Sequence, residues 1–149
     1  MGDDVENEFV AGFAFYENHV ALLRKAKPEW QKGMLNGIGG KREEGENFID
    51  AMVREFEEET GYKTNHDDWR LFHNMKGDGY EVNFFTSYFP GSGHAFRSLR
   101  NTEDTDETVY FLDLSHPSWS NRDDIIYNLK WLIPLALDRS VNQSCSWGF

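Results

Sequence analysis

Segments rich in aromatic and β-branched residues recur along the chain, and each is bounded by turn-forming residues. These segments are residues 9–16, 19–24, 69–75, 80–89 and 108–112. The first is apolar throughout, which is typical of a strand buried on both faces. Turn residues at 17–18 and 76–79 join neighbouring segments and predict two hairpins. The pattern therefore predicts a sheet built in part from antiparallel hairpins.

Two segments carry helical signals. From Glu46 to Thr60 apolar residues recur at helical spacing, and Gly61 follows as a C-terminal stop. A second helix is predicted to open at residues 120–124 and to run to about Leu137, with acidic residues in its first turn. Glycine and proline punctuate residues 28–40, which predicts a loop around a short strand at 34–38.

This order of elements, with strands, one central helix and one late helix, predicts an α/β or α+β sandwich. Neither a repeat nor a linker interrupts the 149 residues. We therefore expect one domain over 1–149, with its core at about 9–138 and a polar C-terminal tail at 139–149.

Charge and cysteine content narrow the class of function. The net charge of −11 disfavours general binding to nucleic acid or to anionic membranes. The single cysteine, Cys145, precludes an intramolecular disulfide and suits a reducing compartment. The acidic N-terminus lacks a signal peptide, and no apolar run is long enough to cross a membrane. We expect a soluble, untargeted, cytoplasmic protein, and the sequence leaves open whether it forms a homodimer.

The acid-rich segment 40–62 is the strongest candidate for chemistry. It alone carries a net charge of −5. On a helix Glu55, Glu58 and Glu59 share one face, whereas Glu57 points to the far side. Like charges crowded on one face destabilise a helix unless a hard divalent cation binds their oxygens. The segment therefore predicts a Mg²⁺ site, with Mn²⁺ as the alternative ion.

The same segment resembles the signature of the Nudix hydrolases. Gly40 is followed by Glu46 and then by the run Arg-Glu-Phe-Glu-Glu-Glu-Thr-Gly-Tyr at 54–62, which matches every polar and glycine position. Aromatic residues at 56 and 62 replace the usual aliphatic ones and concern packing. The resemblance implies a Nudix-type α/β/α sandwich with a mixed, mostly antiparallel sheet between the helices. It also implies hydrolysis of a nucleoside diphosphate linked to another group.

The resemblance also implies roles for individual residues. Glu55, Glu58 and Glu59 would bind the metal together with the carbonyl of Gly39, although Glu55 can instead serve as the general base. Glu46 and Arg54 would pair and brace the loop against the helix. A further catalytic carboxylate is expected just before a late strand. We select Glu107 for that role, and Glu103 and Asp106 remain alternatives.

Residues 35–41 resemble the Nudix branch that hydrolyses oxidised purine nucleoside triphosphates. Asn36 would contact the base or sugar, although it can equally cap a turn. Asn128 matches a position that hydrogen-bonds the purine, and Tyr127 or Trp131 could pack on its ring, although Trp131 is better expected in the core. Asn36, Lys41 and Asn128 are therefore the substrate-binding candidates, and products would be a nucleoside monophosphate and pyrophosphate.

Other substrates and classes remain as alternatives. Tyr80 keeps open a dinucleoside polyphosphate as substrate, and a nucleotide sugar is a further alternative. The sequence marks of the NADH and ADP-ribose branches are absent, and Asp78 stands where the ADP-ribose branch has proline. A Nudix-fold binding module without turnover would be expected to lose glutamates from the signature, and all are present here.

Overall fold

The computed structural model describes residues 7–103 and 105–138. Within them seven strands and three α-helices form the fold. The strands are β1 (Glu8–Tyr16), β2 (His19–Arg24), β3 (Leu35–Asn36), β4 (Ile38–Lys41), β5 (Arg70–Gly77), β6 (Tyr80–Tyr88) and β7 (Thr108–Asp113). The helices are α1 (Phe48–Thr60), α2 (His94–Arg97) and α3 (Leu129–Leu137).

The sheet is mixed, as predicted, with one parallel pairing of strands, β1 with β6, among the described strands. The other strand pairs are antiparallel. β1 and β2 pair only near their shared turn, where 14–16 face 19–21. Farther along, the chain at 35–41 pairs with both, because β3 bonds to β2 and β4 bonds to β1. The glycine-rich segment is therefore part of the sheet.

Hydrophobic residues cover both faces of this sheet, which confirms the sandwich. On one face α1 contributes Ala51, Met52 and Phe56 to a buried cluster. On the other face α3 contributes a second set, Leu129, Leu132, Ile133 and Ala136. β1 supplies side chains to both clusters, so the prediction that this strand is buried on both faces is confirmed.

The predicted start of the late helix is wrong. α3 begins at Leu129, and residues 117–121 form a short 3-10 helix instead. The backbone between them pairs with β3 of the sheet. Leu35 N–H donates to Asp124 O at 2.6 Å, and Ile126 N–H donates to Leu35 O at 3.0 Å. Asp124 therefore lies outside the first helical turn, and its carboxylate accepts hydrogen bonds from Arg122 at 2.8 Å.

Smaller differences concern three other segments. α1 begins at Phe48 after the N-cap Asn47, so Glu46 precedes the helix. The predicted strand at 34–38 is divided at Gly37 into β3 and β4. The short helix α2 was not predicted. The tail from 139 and Cys145 lie outside the described residues. In the part described, no helix has the length and apolar character needed to span a bilayer.

Candidate active site

Helix α1 positions the candidate carboxylates, and its ends are well capped. The side chain of Asn47 accepts a hydrogen bond from Asp50 N–H at 2.9 Å, which satisfies an otherwise unpaired donor. Gly61 ends the helix with a φ of 75°, a conformation that glycine adopts without steric cost. The helix buries its apolar face in the core and directs Glu55 towards β4 and the sheet.

Glu55 lies directly against the backbone of Gly40. A Cβ added at Gly40 would stand 2.4 and 2.5 Å from the two carboxylate oxygens of Glu55. At Gly39 an added Cβ would stand 2.0 Å from the carbonyl oxygen of Val10. Gly40 therefore allows α1 to approach β4 closely, whereas Gly39 allows β4 to lie close to the backbone of β1.

Burial gives the site two carboxyl groups that titrate near neutral pH. It raises the pKa of Glu55 from its ordinary 4.5 to about 7, an effect that Arg54 opposes and neighbouring carboxylates reinforce. Burial likewise raises the pKa of Glu59 to about 7, and the negative charges of Glu103 and Glu107 add to it. The site therefore concentrates negative charge where solvent screens it poorly.

Arg54 joins the helix to the preceding loop through several hydrogen bonds. Its Nη2 donates to Glu46 Oε1 at 2.7 Å and to the carbonyl of Lys41 at 2.9 Å, and its Nε donates to Glu46 Oε2 at 3.1 Å. Its Nη1 lies 3.2 Å from Glu58. The predicted pairing of Glu46 and Arg54 is thus present. These bonds lower the pKa of Glu46 and hold the end of β4 beside α1.

A second arginine, which the sequence reasoning did not single out, braces the same loop. Arg42 pairs with Glu8 through Nε at 3.0 Å and donates to the carbonyl of Glu46 at 2.7 Å. The two partners of this ion pair stand far apart in the sequence, and a local pattern carries no signal for such a pair. Arg42 therefore ties β1 to the loop that Arg54 holds from the other side.

The donor chemistry fits a hard divalent cation. Within residues 7–103 and 105–138, no three His, Cys, Asp or Glu side chains are close enough to hold one ion as they stand. Glu59 Oε2 is nevertheless buried without a hydrogen-bond partner, and Glu55 is almost fully buried beside it on the helix. Oxygen ligands with unrelieved negative charge are what Mg²⁺ and Mn²⁺ bind.

Glu107 is buried and holds the segment after β2. Its Oε2 accepts a hydrogen bond from Ala26 N–H at 2.9 Å and lies 3.4 Å from Lys25 Nζ. This carboxylate also lies close enough to Glu59 to raise the pKa of that residue. The structure thus places Glu107 beside the α1 carboxylates with an anchoring contact of its own, and its catalytic role stays a prediction.

A pocket of about 360 Å³ lies between the loop before β3 and the segment before α3. Trp30 and Tyr127, with exposed fractions of 70% and 78%, both line it, and Lys130 contributes a positive charge. Trp30 was missed in the sequence, although a lone aromatic residue in a polar loop was a usable signal. Exposed aromatic rings beside a cation are suited to stack on a nucleobase.

The predicted base-contacting residues differ in their environment. Asn36 accepts from Gly37 N–H at 2.8 Å and donates to Gln31 at 3.0 Å, as the turn-capping alternative expects. Asn128 directly follows Tyr127, and its Oδ1 is buried without a hydrogen-bond partner.

Two other predicted residues lie at the surface. The expectation that Trp131 is core is wrong, because 45% of its surface is exposed and its ring packs edge-on to His73. Lys41 is exposed at the end of β4.

Comparison with known proteins identifies the family. The NUDIX domain model matches residues 8–137. The chain belongs to the NUDIX domain family. This confirms the resemblance drawn from the signature, and the family match supports a hydrolase acting on phosphoric anhydride bonds. No curated protein sequence matches this NUDIX chain.

Solved structures similar to this NUDIX chain have low sequence identity. A bifunctional NMN adenylyltransferase/ADP ribose pyrophosphatase of Francisella tularensis, complexed with AMP and a manganese ion, is 16% identical (TM-score 0.69, 88% of this chain and 41% of that one). The chain thus spans about two-fifths of that protein. The NUDIX domain of Shewanella oneidensis NrtR, complexed with ADP ribose, is 13% identical with a TM-score of 0.71, and the match covers 90% of this chain and 88% of that one. A MutT structure from a study of the Aliivibrio salmonicida and Vibrio cholerae proteins is 21% identical with a TM-score of 0.59, and the match covers 87% of this chain and 94% of that one. These likenesses show the fold.

Proposed function

We propose that this NUDIX protein is a divalent-metal-dependent pyrophosphohydrolase that converts purine nucleoside triphosphates, oxidised ones included, to the monophosphate and pyrophosphate. The observation that carries the proposal is a pair of carboxyl groups on one face of α1: Glu55 is buried against Gly40 of β4, and half-buried Glu59, one turn later, has a buried Oε2 without a hydrogen-bond partner. Mg²⁺ is the expected ion, and Mn²⁺ is the alternative.

The residues at the end of β4 and on α1 divide the work in this proposal. Glu55, Glu58 and Glu59 would bind the ion together with the carbonyl of Gly39, and the bound ion supplies positive charge against the phosphate oxygens. A carboxylate whose pKa lies near 7 is suited to accept the proton of an attacking water at neutral pH. Arg54 would act by positioning, since it holds the loop to the helix.

The aromatic pocket supports a nucleobase at the other end of the substrate. Met34 lines this pocket, and its carbonyl accepts a hydrogen bond from Lys25 N–H at 2.7 Å. Lys25 in turn pairs with Glu107, which lies close enough to influence Glu59. A chain of contacts through Lys25 and Glu107 therefore connects the pocket to the carboxylates of α1. Lys41 and Asn128 remain the predicted polar contacts to the substrate.

The structure offers no specific support for a dinucleoside polyphosphate through Tyr80. The ring of Tyr80 lies over Gly77 of its own hairpin, where an added Cβ would stand 2.0 Å from it. Packing within the hairpin is therefore sufficient to explain the position of the Tyr80 ring. The alternative therefore becomes an outcome of the substrate test.

The test is a panel of nucleotides with Mg²⁺ or Mn²⁺, including normal and oxidised purine triphosphates, pyrimidine triphosphates and diadenosine tetraphosphate, with products separated by chromatography. We expect purine triphosphates to give monophosphate and pyrophosphate. Glu59→Gln should lower kcat by about a hundredfold or more, whereas the exposed control Glu57→Gln should retain activity. Full activity of Glu59→Gln, or undiminished turnover in excess chelator, would refute the mechanism.

A further inference from the structure

A second pocket lies at the C-terminal end of α1, on the side of the sheet that this helix covers. Its volume is about 370 Å³, within the usual range for small-molecule sites. Its wall includes the helix end, the following tyrosine and part of the segment after β6, and the residues that matter here are Thr60, Gly61, Tyr62, Arg97, Arg100 and Thr102. The hydrogen bond from Arg100 N–H to Thr60 O, at 3.3 Å, joins the two walls.

The charge of this pocket is opposite to that of the protein. Both charged residues in its lining are arginines, whereas the chain as a whole carries −11. Arg97 is fixed, because its Nη1 donates to Ser92 O at 3.0 Å and its guanidinium lies 5.4 Å from the ring centre of Tyr16. A positive pocket on an acidic protein selects for anions, because the rest of the surface repels them.

Arg100 is the exception among the arginines of the described segments. The side chains of the other six each donate a hydrogen bond to a protein oxygen: Arg24, Arg42, Arg54, Arg70, Arg97 and Arg122. Towards residues 7–103 and 105–138, the hydrogen bond that Arg100 makes is that of its backbone N–H. With respect to this part of the chain, its exposed guanidinium keeps its donors for a ligand in the pocket.

Stabilising the end of α1 does not account for these arginines. The backbone N–H of Gly61 already satisfies Glu57 O at 2.8 Å, and the backbone N–H of Arg100 satisfies Thr60 O. The helix dipole places about half a negative charge at this end, which is smaller than the two positive charges of the guanidinium groups. The helix dipole therefore does not neutralise the two guanidinium groups of the lining, and a guanidinium fork matches the oxygens of a phosphate group.

The pocket lies at the end of the helix that carries the candidate carboxylates. Gly61 packs against Thr102, where an added Cβ would stand 2.7 Å from the threonine side chain. Glu59 precedes the pocket residue Thr60 in the chain, and Glu103, which follows Thr102, acts with its charge on both Glu55 and Glu59. We propose that the pocket is a phosphate subsite that binds the leaving side of the substrate, away from the nucleobase. This assignment rests on the proposed function, and it gives Arg100 the role of a substrate-binding residue.

The first experiment measures binding of inorganic pyrophosphate to the full-length, metal-free protein by calorimetry. Arg100→Gln should weaken binding about tenfold or more, since a charged hydrogen-bond donor is lost. Lys63→Gln, which removes one positive charge from an exposed residue beside the pocket, is the matched control and should bind as wild type does. Equal binding by wild type and Arg100→Gln would overturn the proposal, as would a drop of the same size in Lys63→Gln.

The second experiment separates a substrate phosphate from a free anion acting as effector. With the best nucleoside triphosphate of the panel, Arg100→Gln should raise KM with little change in kcat, and pyrophosphate should inhibit wild type competitively. Non-competitive inhibition or activation that Arg100→Gln abolishes would overturn the assignment to the substrate. If no nucleotide is hydrolysed the proposed function fails, while the binding experiment still decides whether the pocket takes a phosphate anion.

Discussion

The metal-free protein should gain stability at alkaline pH when Glu55 is replaced by glutamine. In the folded protein the pKa of Glu55 is raised to about 7 from an ordinary 4.5, because its side chain is only 10% exposed. The folded state therefore holds the proton more tightly than the unfolded state does. The ionised carboxylate imposes no cost below pH 4.5, an increasing cost as the pH rises to 7, and a constant cost above it.

The size of this cost follows from the two pKa values. Each unit of difference corresponds to about 1.4 kcal/mol, so the ionised side chain lowers the free energy of unfolding by about 3 to 4 kcal/mol above pH 7. Glu55→Gln removes the charge and nearly preserves the shape. The variant should then exceed wild type by that amount at pH 8 and match it closely at pH 4.5, although it loses activity.

Urea denaturation in the presence of chelator measures this difference directly. At pH 8 the midpoint of Glu55→Gln should lie about 1 to 2 M above that of wild type. Glu57→Gln provides the control, because that side chain is exposed and its charge is solvated, so its difference from wild type should be small at both pH values. The reasoning would be refuted if Glu55→Gln were less stable than wild type at pH 8. It would also be refuted if the stability difference between variant and wild type were the same at pH 8 and pH 4.5.

Four further predictions address the loop, the base and the ion. Arg54→Lys should lower the free energy of unfolding by about 2 kcal/mol and also slow turnover, because lysine cannot form the two parallel hydrogen bonds that Arg54 makes to Glu46. Urea denaturation and a rate assay measure these two effects. Trp30→Ala should raise KM for purine triphosphates about fivefold to a hundredfold with an unchanged melting temperature, because its ring is exposed. Asn128→Ala should reduce discrimination between purine and pyrimidine triphosphates by about 1 to 3 kcal/mol, and an equal loss for every substrate would contradict a role in base selection. The affinity for Mn²⁺, measured by calorimetry, should rise between pH 5.5 and 7.5, because the ion displaces protons from two carboxyl groups with pKa values near 7.

Local patterns were sufficient to predict most of the fold. The apolar run that became β1, the glycine that ends α1 and the turn at 17–18 each depend on neighbours in the sequence. The start of α3 depends instead on hydrogen bonds to Leu35, about ninety residues earlier in the chain, and helical propensity cannot anticipate that competition. The exposure of Trp131 likewise depends on where the short helix lies against β5.

The candidate site divides in the same way. The shared face of the α1 carboxylates follows from helical spacing, whereas the contact of Glu55 with Gly40 came from the structure. Three other features join distant parts of the chain. They are the ion pair of Arg42 with Glu8, the anchoring contact of Glu107 and the two exposed aromatic residues around one pocket. Sequence periodicity carries no information on such contacts, so these features came from the three-dimensional structure.

The backbone bridge between Leu35 and the segment before α3 has a consequence for redesign of the protein. The two segments that line the aromatic pocket are joined by main-chain hydrogen bonds at 2.6 and 3.0 Å, and these bonds do not depend on side-chain identity. Helix α1, which carries the candidate metal ligands, is attached elsewhere, through Arg54 and β4. The exposed side chains of the pocket, Trp30 and Tyr127, can therefore be exchanged in combinatorial libraries while α1 keeps its attachment, and the buried Ile125 and Ile126 are kept as core. This makes the scaffold suitable for directed evolution of new ligand preferences.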